Sequence, residues 1–166
     1  FKPNNNTRVV IDVQYTSKPA MNAALLGART AANSKNYSIL RPYNAGTLRS
    51  DYNGTYTQTW TVDFAKRLTV DKNKETTTIN GTAQSYTNAN FQCDYSLFFL
   101  CINNAGSASW YTSAKLFSCQ VYDNGTLIRD YWPCYDPDGI ACLYDKVTKT
   151  YFYNKGSGAF IAGGVA

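Results

Sequence analysis

Acid and base side chains are scarce in this chain, which limits the chemistry that it can catalyse. The 166 residues include no histidine, a single glutamate (Glu75) and ten aspartates. Ser-His-Asp and Cys-His mechanisms need an imidazole, and glycoside hydrolysis needs two carboxyl groups flanking the scissile bond. The nearest acidic pair, Asp136 and Asp138, flanks Pro137 and precedes Gly139, a sequence that is typical of a turn. The composition therefore argues against an enzyme.

The cysteines are the remaining candidates for nucleophiles or metal ligands, and they stand at Cys93, Cys101, Cys119, Cys134 and Cys142. No two form a CxxC pair, and without histidine a zinc site is not expected. Cys101 lies in an apolar run and Cys119 alternates with Phe117 and Val121, so we expect both to be buried. We interpret the cysteines as reduced structural residues, with one or two disulfides as the alternative. An odd number leaves at least one free thiol in a monomer.

Aromatic rings beside hydrogen-bonding side chains indicate binding rather than catalysis. Three groups stand out: Trp110 and Tyr111 in a predicted loop; Arg49, Asp51 and Tyr52 before the Asn53-Gly54 turn; and Trp60 in a threonine-rich strand. Such rings bury a large apolar area, while the neighbouring polar groups can bond hydroxyls. Trp60 and Trp132 also fit core positions, whereas a loop Trp110 is harder to explain by packing. Arg29 fits a structural hydrogen bond or a ligand contact.

Metal binding is a secondary alternative. Asp51, Asp94 or Asp123 could donate carboxylate oxygens to a Ca²⁺ ion, but none of them lies in an acidic cluster. We therefore expect no cofactor. The net charge of +5 is spread along the chain, so no nucleic-acid partner is expected. The sequence has no apolar run long enough for a membrane span.

The elements that must position these residues are short strands. Val9, Ile11, Val13 and Tyr15 alternate with more polar residues, the period of a half-buried strand. We predict further strands over Ala24–Arg29, Tyr37–Arg41, Thr55–Phe64, Arg67–Asp71, Thr76–Ile79, Ser96–Ile102, Ala114–Tyr122, Thr126–Tyr131, Ala141–Asp145 and Thr150–Tyr153. Lys18–Ala24 is expected to form no more than a helical turn.

Three Asn-Gly dipeptides separate predicted strands, at Asn53, Asn80 and Asn124. Asn-Gly accepts the positive φ angles of a two-residue hairpin turn. With Asn124-Gly125 as the loop, Tyr122 is predicted to face Leu127 and Val121 to face Ile128. About ten short strands separated by turns predict a single all-β domain over residues 1–166, a two-sheet antiparallel β-sandwich.

Motifs in the C-terminal third give this prediction a more specific form. Ser113–Gly125 leads into Arg129–Cys134, followed by Asp138–Asp145, Phe152–Asn154 and a glycine-rich stretch over 156–163. The series resembles the concanavalin A-like lectin/glucanase (laminin-G-like) domains of phage tail and virion proteins and of gut-bacterial surface proteins. The resemblance implies a jelly-roll sandwich.

The N-terminal part is similar to the same group. Asn6–Asp12 and Leu26–Arg29 resemble its first two core strands, and Tyr95–Leu100 resembles a central strand, so the resemblance covers nearly the whole chain. Members usually begin with a strand upstream of the position that matches Phe1. We interpret the chain, which does not begin with Met, as a piece of a longer protein that lacks this strand. An open sheet edge there would favour pairing with another chain.

The resemblance and the residues together predict a non-catalytic carbohydrate-binding module. It would attach a phage or bacterial surface assembly to a glycan, with localisation at a virion or the cell surface. Trp110, Tyr111, Tyr52 and Trp60 would contact the sugar rings, and Arg49 and Asp51 would bond the hydroxyls. The alternative is a structural, decoration or oligomerisation module that binds copies of itself or other virion or surface proteins. A glycoside hydrolase is a third hypothesis, for which the sequence offers no carboxylate pair.

Overall fold

A computed structural model describes residues 1–31, 34–41, 46–54, 56–85, 90–155 and 159–161. The described residues form fifteen strands and no helix. The first eight strands are β1 (Thr7–Tyr15), β2 (Ala24–Arg29), β3 (Tyr37–Leu40), β4 (Thr47–Tyr52), β5 (Tyr56–Thr61), β6 (Arg67–Lys72), β7 (Thr76–Ile79) and β8 (Thr82–Ser85). The others are β9 (Phe98–Phe99), β10 (Ile102–Asn104), β11 (Ser107–Ser109), β12 (Ala114–Asp123), β13 (Thr126–Tyr135), β14 (Ala141–Asp145) and β15 (Thr150–Phe152).

These strands form two sheets, so the predicted all-β, two-sheet sandwich class is confirmed. The first sheet has the order β15-β14-β13-β12-β1-β6-β7-β8. The second has the order β11-β10-β2-β3-β4-β5, and β9 also pairs with β2. Neighbouring strands are antiparallel except β2 and β10, which run parallel. The described residues contain no helix with the length and apolar character needed to cross a membrane.

The core lies between the inner faces of the two sheets. The alternation of apolar and polar residues in β1 predicts which of its side chains face this core. Val9, Ile11, Val13 and Tyr15 are all buried. They pack in one cluster with apolar residues of the second sheet, such as Leu26. In β1 every second side chain is buried, because successive side chains point to opposite faces. The outer faces of both sheets are therefore the places to look for ligand contacts.

The Asn-Gly turns have the backbone that the sequence predicts. Asn53, Asn80 and Asn124 have φ between 48° and 49°, and each following glycine also has positive φ. The last of these turns joins β12 to β13, with Tyr122 opposite Leu127 as predicted. The predicted pairing of Val121 with Ile128 is wrong, because a bulge places Val121 opposite Arg129. The extra residue shifts the register of the rest of β13.

One strand prediction is also wrong. The strand predicted over Ser96–Ile102 is broken into β9 and β10, because Leu100 adopts a φ of 60°. There its N–H donates to the carbonyl of Leu25. Cys101, expected to be buried, is only half-buried beside this break, whereas Cys119 is buried as predicted. The strands β4, β8 and β11 have no counterpart among the predictions.

The N-terminal residues pair with a segment of the same chain. Phe1, Pro3 and Phe91 accept backbone hydrogen bonds from Leu97, Cys93 and Asn5 respectively. Asn4 forms an isolated antiparallel bridge with Gln92. This part of the structure, which we predicted to be an open edge, is thus lined by residues 91–97.

Lys72, at the end of β6, is buried in the core. Its Nζ donates to Ser50 Oγ at 2.7 Å and lies 4.6 Å and 5.6 Å from the ring centroids of Tyr37 and Tyr52. Ser50 in turn shares a 2.8 Å hydrogen bond with Thr77 Oγ1. Burial lowers the pKa of Lys72 to about 7. The core therefore contains an amine that is close to its titration point at neutral pH.

Gly27 is the tightest point of the second sheet. A Cβ at this position would lie 2.7 Å from Ile102 Cγ1 and 2.9 Å from Ser38 Cβ. Because Ser38 Cβ is fixed to the backbone of β3, we expect Gly27→Ala to destabilise the fold by about 2 kcal/mol in urea unfolding. Part of this cost should disappear when Ile102 is also changed to Ala. Strictly additive costs of the two substitutions would contradict the proposed clash.

Candidate functional site

Two of the predicted ligand residues, Tyr52 and Trp60, point into the core. They are 2% and 4% exposed. The Tyr52 ring packs edge-on against Phe91 at 4.6 Å, and burial raises the Tyr52 pKa to about 12. Trp60 Nε1 donates to the carbonyl of Thr82 at 2.9 Å, and Trp60 borders a shallow depression of about 260 Å³. Trp60 is thus a core residue, and neither ring offers a face for stacking.

Arg49 and Asp51 form an ion pair on the outer face of the second sheet. Arg49 Nε and Nη2 each lie 2.9 Å from a carboxylate oxygen of Asp51. Ser38 Oγ donates to the same carboxylate at 3.2 Å. The carboxylate is nearly buried, whereas the guanidinium is partly exposed. Asp51 therefore positions Arg49, and Arg49 is the member of the pair that faces solvent.

Trp110 lies on the same sheet but is partly covered. It packs against the outer-face residues Ala24, Leu40 and Ile102. The guanidinium of Arg29 lies 4.5 Å from the centre of its ring. Arg29 Nε donates to Asn104 Oδ1 at 3.0 Å, a structural hydrogen bond, which is one of the two roles considered for Arg29. Burial lowers the pKa of Arg29.

Tyr111 is the most exposed of the predicted residues, at 64%. Its hydroxyl donates to the carbonyl of Ala108 at 3.2 Å. The other four predicted ligand residues have side chains on the outer face of the second sheet or beside it, and that of Asp51 is nearly buried. Trp110 is partly covered by Arg29, which leaves Tyr111 and Arg49 as the accessible groups.

The aspartates considered for calcium have separate partners. Asp51 pairs with Arg49, Asp94 with Lys35 at 3.1 Å, and Asp123 accepts from Asn4 Nδ2 at 3.2 Å. Over the residues that the structure describes, no three His, Cys, Asp or Glu side chains come together as a metal site.

The acidic pair near the end of β13 forms the turn predicted for it. Asp136 Oδ1 accepts the N–H groups of Asp138 and Ile140. The hydroxyl of Tyr153 donates to its other oxygen at 2.7 Å. These bonds, that of Ile140 foremost, lower the pKa of Asp136. The carboxylate thus organises the β13–β14 connection.

A row of three aromatic rings, two exposed and the middle one half-buried, crosses the outer face of the first sheet. Trp132 of β13 lies opposite Tyr144 of β14, which lies opposite Tyr151 of β15. Directly paired residues project from the same face, so the three rings stand side by side. Trp132 is 43% and Tyr151 38% exposed, and the two tyrosine ring centroids are 5.2 Å apart. We call Trp132, Tyr144 and Tyr151 the aromatic strip.

Polar groups flank the aromatic strip. Asp130 Oδ1 accepts from Trp132 Nε1 at 3.0 Å and from Gln120 Nε2 at 3.3 Å. Lys146 Nζ lies 3.6 Å from the centre of the Trp132 ring. The hydroxyl of Tyr122 donates to Gln120 Oε1. Asp130 and Gln120 thus lie beside Trp132, whereas Lys146 lies over one face of its ring, as Arg29 lies over Trp110.

The position of Trp132 corrects the interpretation of this residue as part of the core. Tyr131 points inward and contacts Phe99, so the next side chain must point outward. The sequence contains one signal for this arrangement. Trp132 shares its strand face with Asp130, a charged residue that is not expected in a core.

The fold and these surfaces define a class of protein: a two-sheet β-sandwich with an exposed aromatic strip on one sheet and an arginine-rich outer face on the other. Comparison with family models, curated proteins and solved structures gives no match to this chain. The site must therefore be interpreted from its own geometry.

Proposed function

We propose that the protein is a non-catalytic, lectin-like module that binds carbohydrate through the aromatic strip. The observation that carries this proposal is the in-register row of Trp132, Tyr144 and Tyr151, with Asp130 and Gln120 beside it and Lys146 over one face of Trp132. Exposed apolar patches with a polar rim mark interaction surfaces. A pyranose ring has an apolar face that can stack on an aromatic ring, while its equatorial hydroxyls reach the polar groups at the edge.

The flatness of a sheet surface favours an extended glycan over a small free sugar. Three rings on adjacent strands span roughly 10 Å, because neighbouring strands lie about 4.8 Å apart. A site of this kind buries little of each sugar unit, so single-site affinity is expected to be low. Repeated copies in a larger assembly would raise the overall affinity. This fits attachment of a phage particle or a bacterial surface assembly to a cell-surface polysaccharide, with a concanavalin A-like jelly roll as the scaffold.

The first test is binding of the protein to an array of bacterial and host glycans. We expect Trp132→Ala to weaken binding to the best glycan at least tenfold, since one stacked ring contributes about 1.5–3 kcal/mol when buried. Tyr111→Ala is the matched control, because it removes a ring that is more exposed than Trp132 and lies beside the opposite sheet. Thermal unfolding of both variants should confirm that the fold is retained.

The Tyr111→Ala variant also distinguishes the aromatic strip from the site predicted on the second sheet. Loss of binding in Tyr111→Ala or Arg49→Ala, with Trp132→Ala unchanged, would move the site to Trp110, Tyr111 and Arg49. No binding to any glycan by the unmodified protein would contradict the proposed function. A stable oligomer that buries Trp132 would instead support the alternative function as a structural or oligomerisation module.

A further inference from the structure

Two cysteines face each other across the hairpin formed by β13 and β14. Cys134 and Cys142 are direct partners in the antiparallel ladder, and their Sγ atoms are 3.5 Å apart. Both are on the outer face of the first sheet, two residue pairs beyond Trp132 and Tyr144. Cys134 is half-buried and Cys142 is 3% exposed.

The backbone spacing at this pair suits a disulfide. The N–H of Lys146 donates to the carbonyl of Asp130, and that of Asp136 donates to the carbonyl of Ile140. Hydrogen-bonded pairs recur at every second position of an antiparallel ladder, so Cys134 and Cys142 belong to this set. The Cα atoms of such pairs lie about 5.5 Å apart, within the range of about 4.4–6.8 Å found for disulfides.

The other cysteines have different surroundings. Cys93 Sγ donates to the carbonyl of Lys35, and Cys101 Sγ donates to the carbonyl of Phe99. Cys119 lies on the inner face of the first sheet, within the core. Cys134 and Cys142 are thus the two thiols that the fold brings together.

We propose that Cys134 and Cys142 are a modification site, forming a reversible cross-strand disulfide by exchange with a small-molecule disulfide such as oxidised glutathione. The thiolate of Cys134 attacks one sulfur of the small disulfide, which forms a mixed disulfide and releases one small thiolate. The thiolate of Cys142 then attacks Cys134 Sγ and displaces the second small thiolate. The two cysteines lose two electrons and two protons, and the small disulfide is reduced to two thiols.

The environments of the two thiols set the order of these steps. Cys134 is the more accessible sulfur, so it meets the small disulfide first. Burial and the hydrogen bond with Cys134 raise the pKa of Cys142 to about 11. Because only the thiolate attacks, closure of the protein disulfide should accelerate as the pH rises.

The disulfide would link β13 to β14 next to the aromatic strip. It would fix the spacing of the hairpin that carries Trp132 and Tyr144, and it would restrict the unfolded chain across the connection 135–141. This inference does not depend on glycan binding, since it rests on the thiol pair alone.

The test is equilibration of the folded protein with mixtures of reduced and oxidised glutathione, followed by acid quenching, alkylation and mass spectrometry. We expect two of the five thiols to escape alkylation at oxidising ratios, with a cross-linked peptide that joins Cys134 to Cys142. The oxidised protein should also unfold at a higher temperature than the reduced protein. Cys101→Ser, which removes the other half-buried cysteine, should leave all these results unchanged.

Substitution of each partner distinguishes the two steps. Cys142→Ser should accumulate the mixed disulfide of Cys134 with glutathione, because the resolving thiol is missing. Cys134→Ser should lose the cross-link and retain an alkylatable Cys142. Five alkylatable thiols at the most oxidising ratio, or a cross-link that joins other cysteines or two protein molecules, would overturn the proposal.

Discussion

Replacing Lys72 with Met is expected to raise the free energy of unfolding by several kcal/mol at and below neutral pH. The lysine is fully buried among Tyr37, Tyr52 and Ser50, and burial is the main cause of its lowered pKa. Met has a similar length and no charge, so it can fill the same space. Ser50 Oγ keeps its hydrogen bond to Thr77 Oγ1 in this variant.

The pH dependence identifies the buried amine as the cause. The pKa of Lys72 falls from 10.5 to about 7 on folding. Between these values the unfolded chain binds a proton that the folded protein does not, so stability rises with pH. The cost of burying the lysine is therefore complete below about pH 7 and disappears near pH 10.5, with a slope of about 1.4 kcal/mol per pH unit.

The measurement is urea unfolding of both proteins between about pH 6 and pH 10. The stability advantage of Lys72→Met should shrink by about 4 kcal/mol over this range. Tyrosines and cysteines also titrate at high pH, but they are common to both proteins and cancel in the difference. Lys66→Met, which changes a lysine with a 78% exposed side chain, is the control and should show no such trend.

A pH-independent difference between Lys72→Met and the unmodified protein would mean that Lys72 is not neutralised in the core. The rings of Tyr37 and Tyr52 oppose the effect of burial on the Lys72 pKa, because cation–π contacts stabilise the charged ammonium by about 0.5–2 kcal/mol. A cation–π contribution large enough to offset burial would flatten the profile.

The strands that could be predicted are those in which local sequence and tertiary packing agree. β2, β7 and β14 have the predicted bounds, and β1 buries the four residues that its alternation indicates. Asn-Gly dipeptides marked three turns because few other residues tolerate positive φ at two successive positions. In these segments no knowledge of distant residues was needed.

β4 could not be predicted because its buried face is partly polar. Ser50 points inward and bonds Lys72, which belongs to β6. Without that partner, Arg49, Ser50 and Asp51 have the composition of a surface turn. The burial of Lys72 could not be predicted for the same reason, since a lysine without a known partner is expected to be exposed.

The aromatic strip depends on the register between strands, which local sequence does not contain. Trp132, Tyr144 and Tyr151 are separated by up to nineteen positions, and they meet only because β13, β14 and β15 are neighbours. The bulge at Ile128 adds one residue to β13 and so changes which residues of that strand face β12. The predicted site, in contrast, was assembled from residues that are close in sequence.

Asp145→Ala is expected to lower the free energy of unfolding by about 3 kcal/mol, because it removes a buried charged acceptor that bonds three donors. Asp145 is fully buried at the end of β14. Its carboxylate accepts from the N–H groups of Asp130 and Val147 and from Thr148 Oγ1, at 2.8, 3.1 and 2.7 Å. Arg129 Nε lies 3.6 Å away. One side chain thus joins β13 to the turn before β15.

Two matched variants separate the contributions of Asp145. Asp145→Asn keeps one carbonyl oxygen and should recover part of the loss. Asp138→Ala removes an exposed aspartate of the preceding turn and should change stability by no more than about 0.5 kcal/mol. Urea unfolding of the three variants provides the comparison, and equal losses in Asp145→Ala and Asp138→Ala would show that burial at Asp145 contributes nothing.

Acid should reduce the effect of Asp145→Ala. Burial raises the pKa of Asp145, but its hydrogen bonds and the nearby Arg129 outweigh burial and leave the pKa below its usual value. A carboxyl group with a lowered pKa stabilises the fold fully above its unfolded pKa of about 3.9, and this contribution is lost as pH falls through the lower folded value. The unmodified protein should therefore lose stability more steeply than Asp145→Ala below about pH 4. Because Asp145 holds the hairpin that carries Trp132 and Tyr144, the exposed surface proposed for binding depends on the same buried carboxylate.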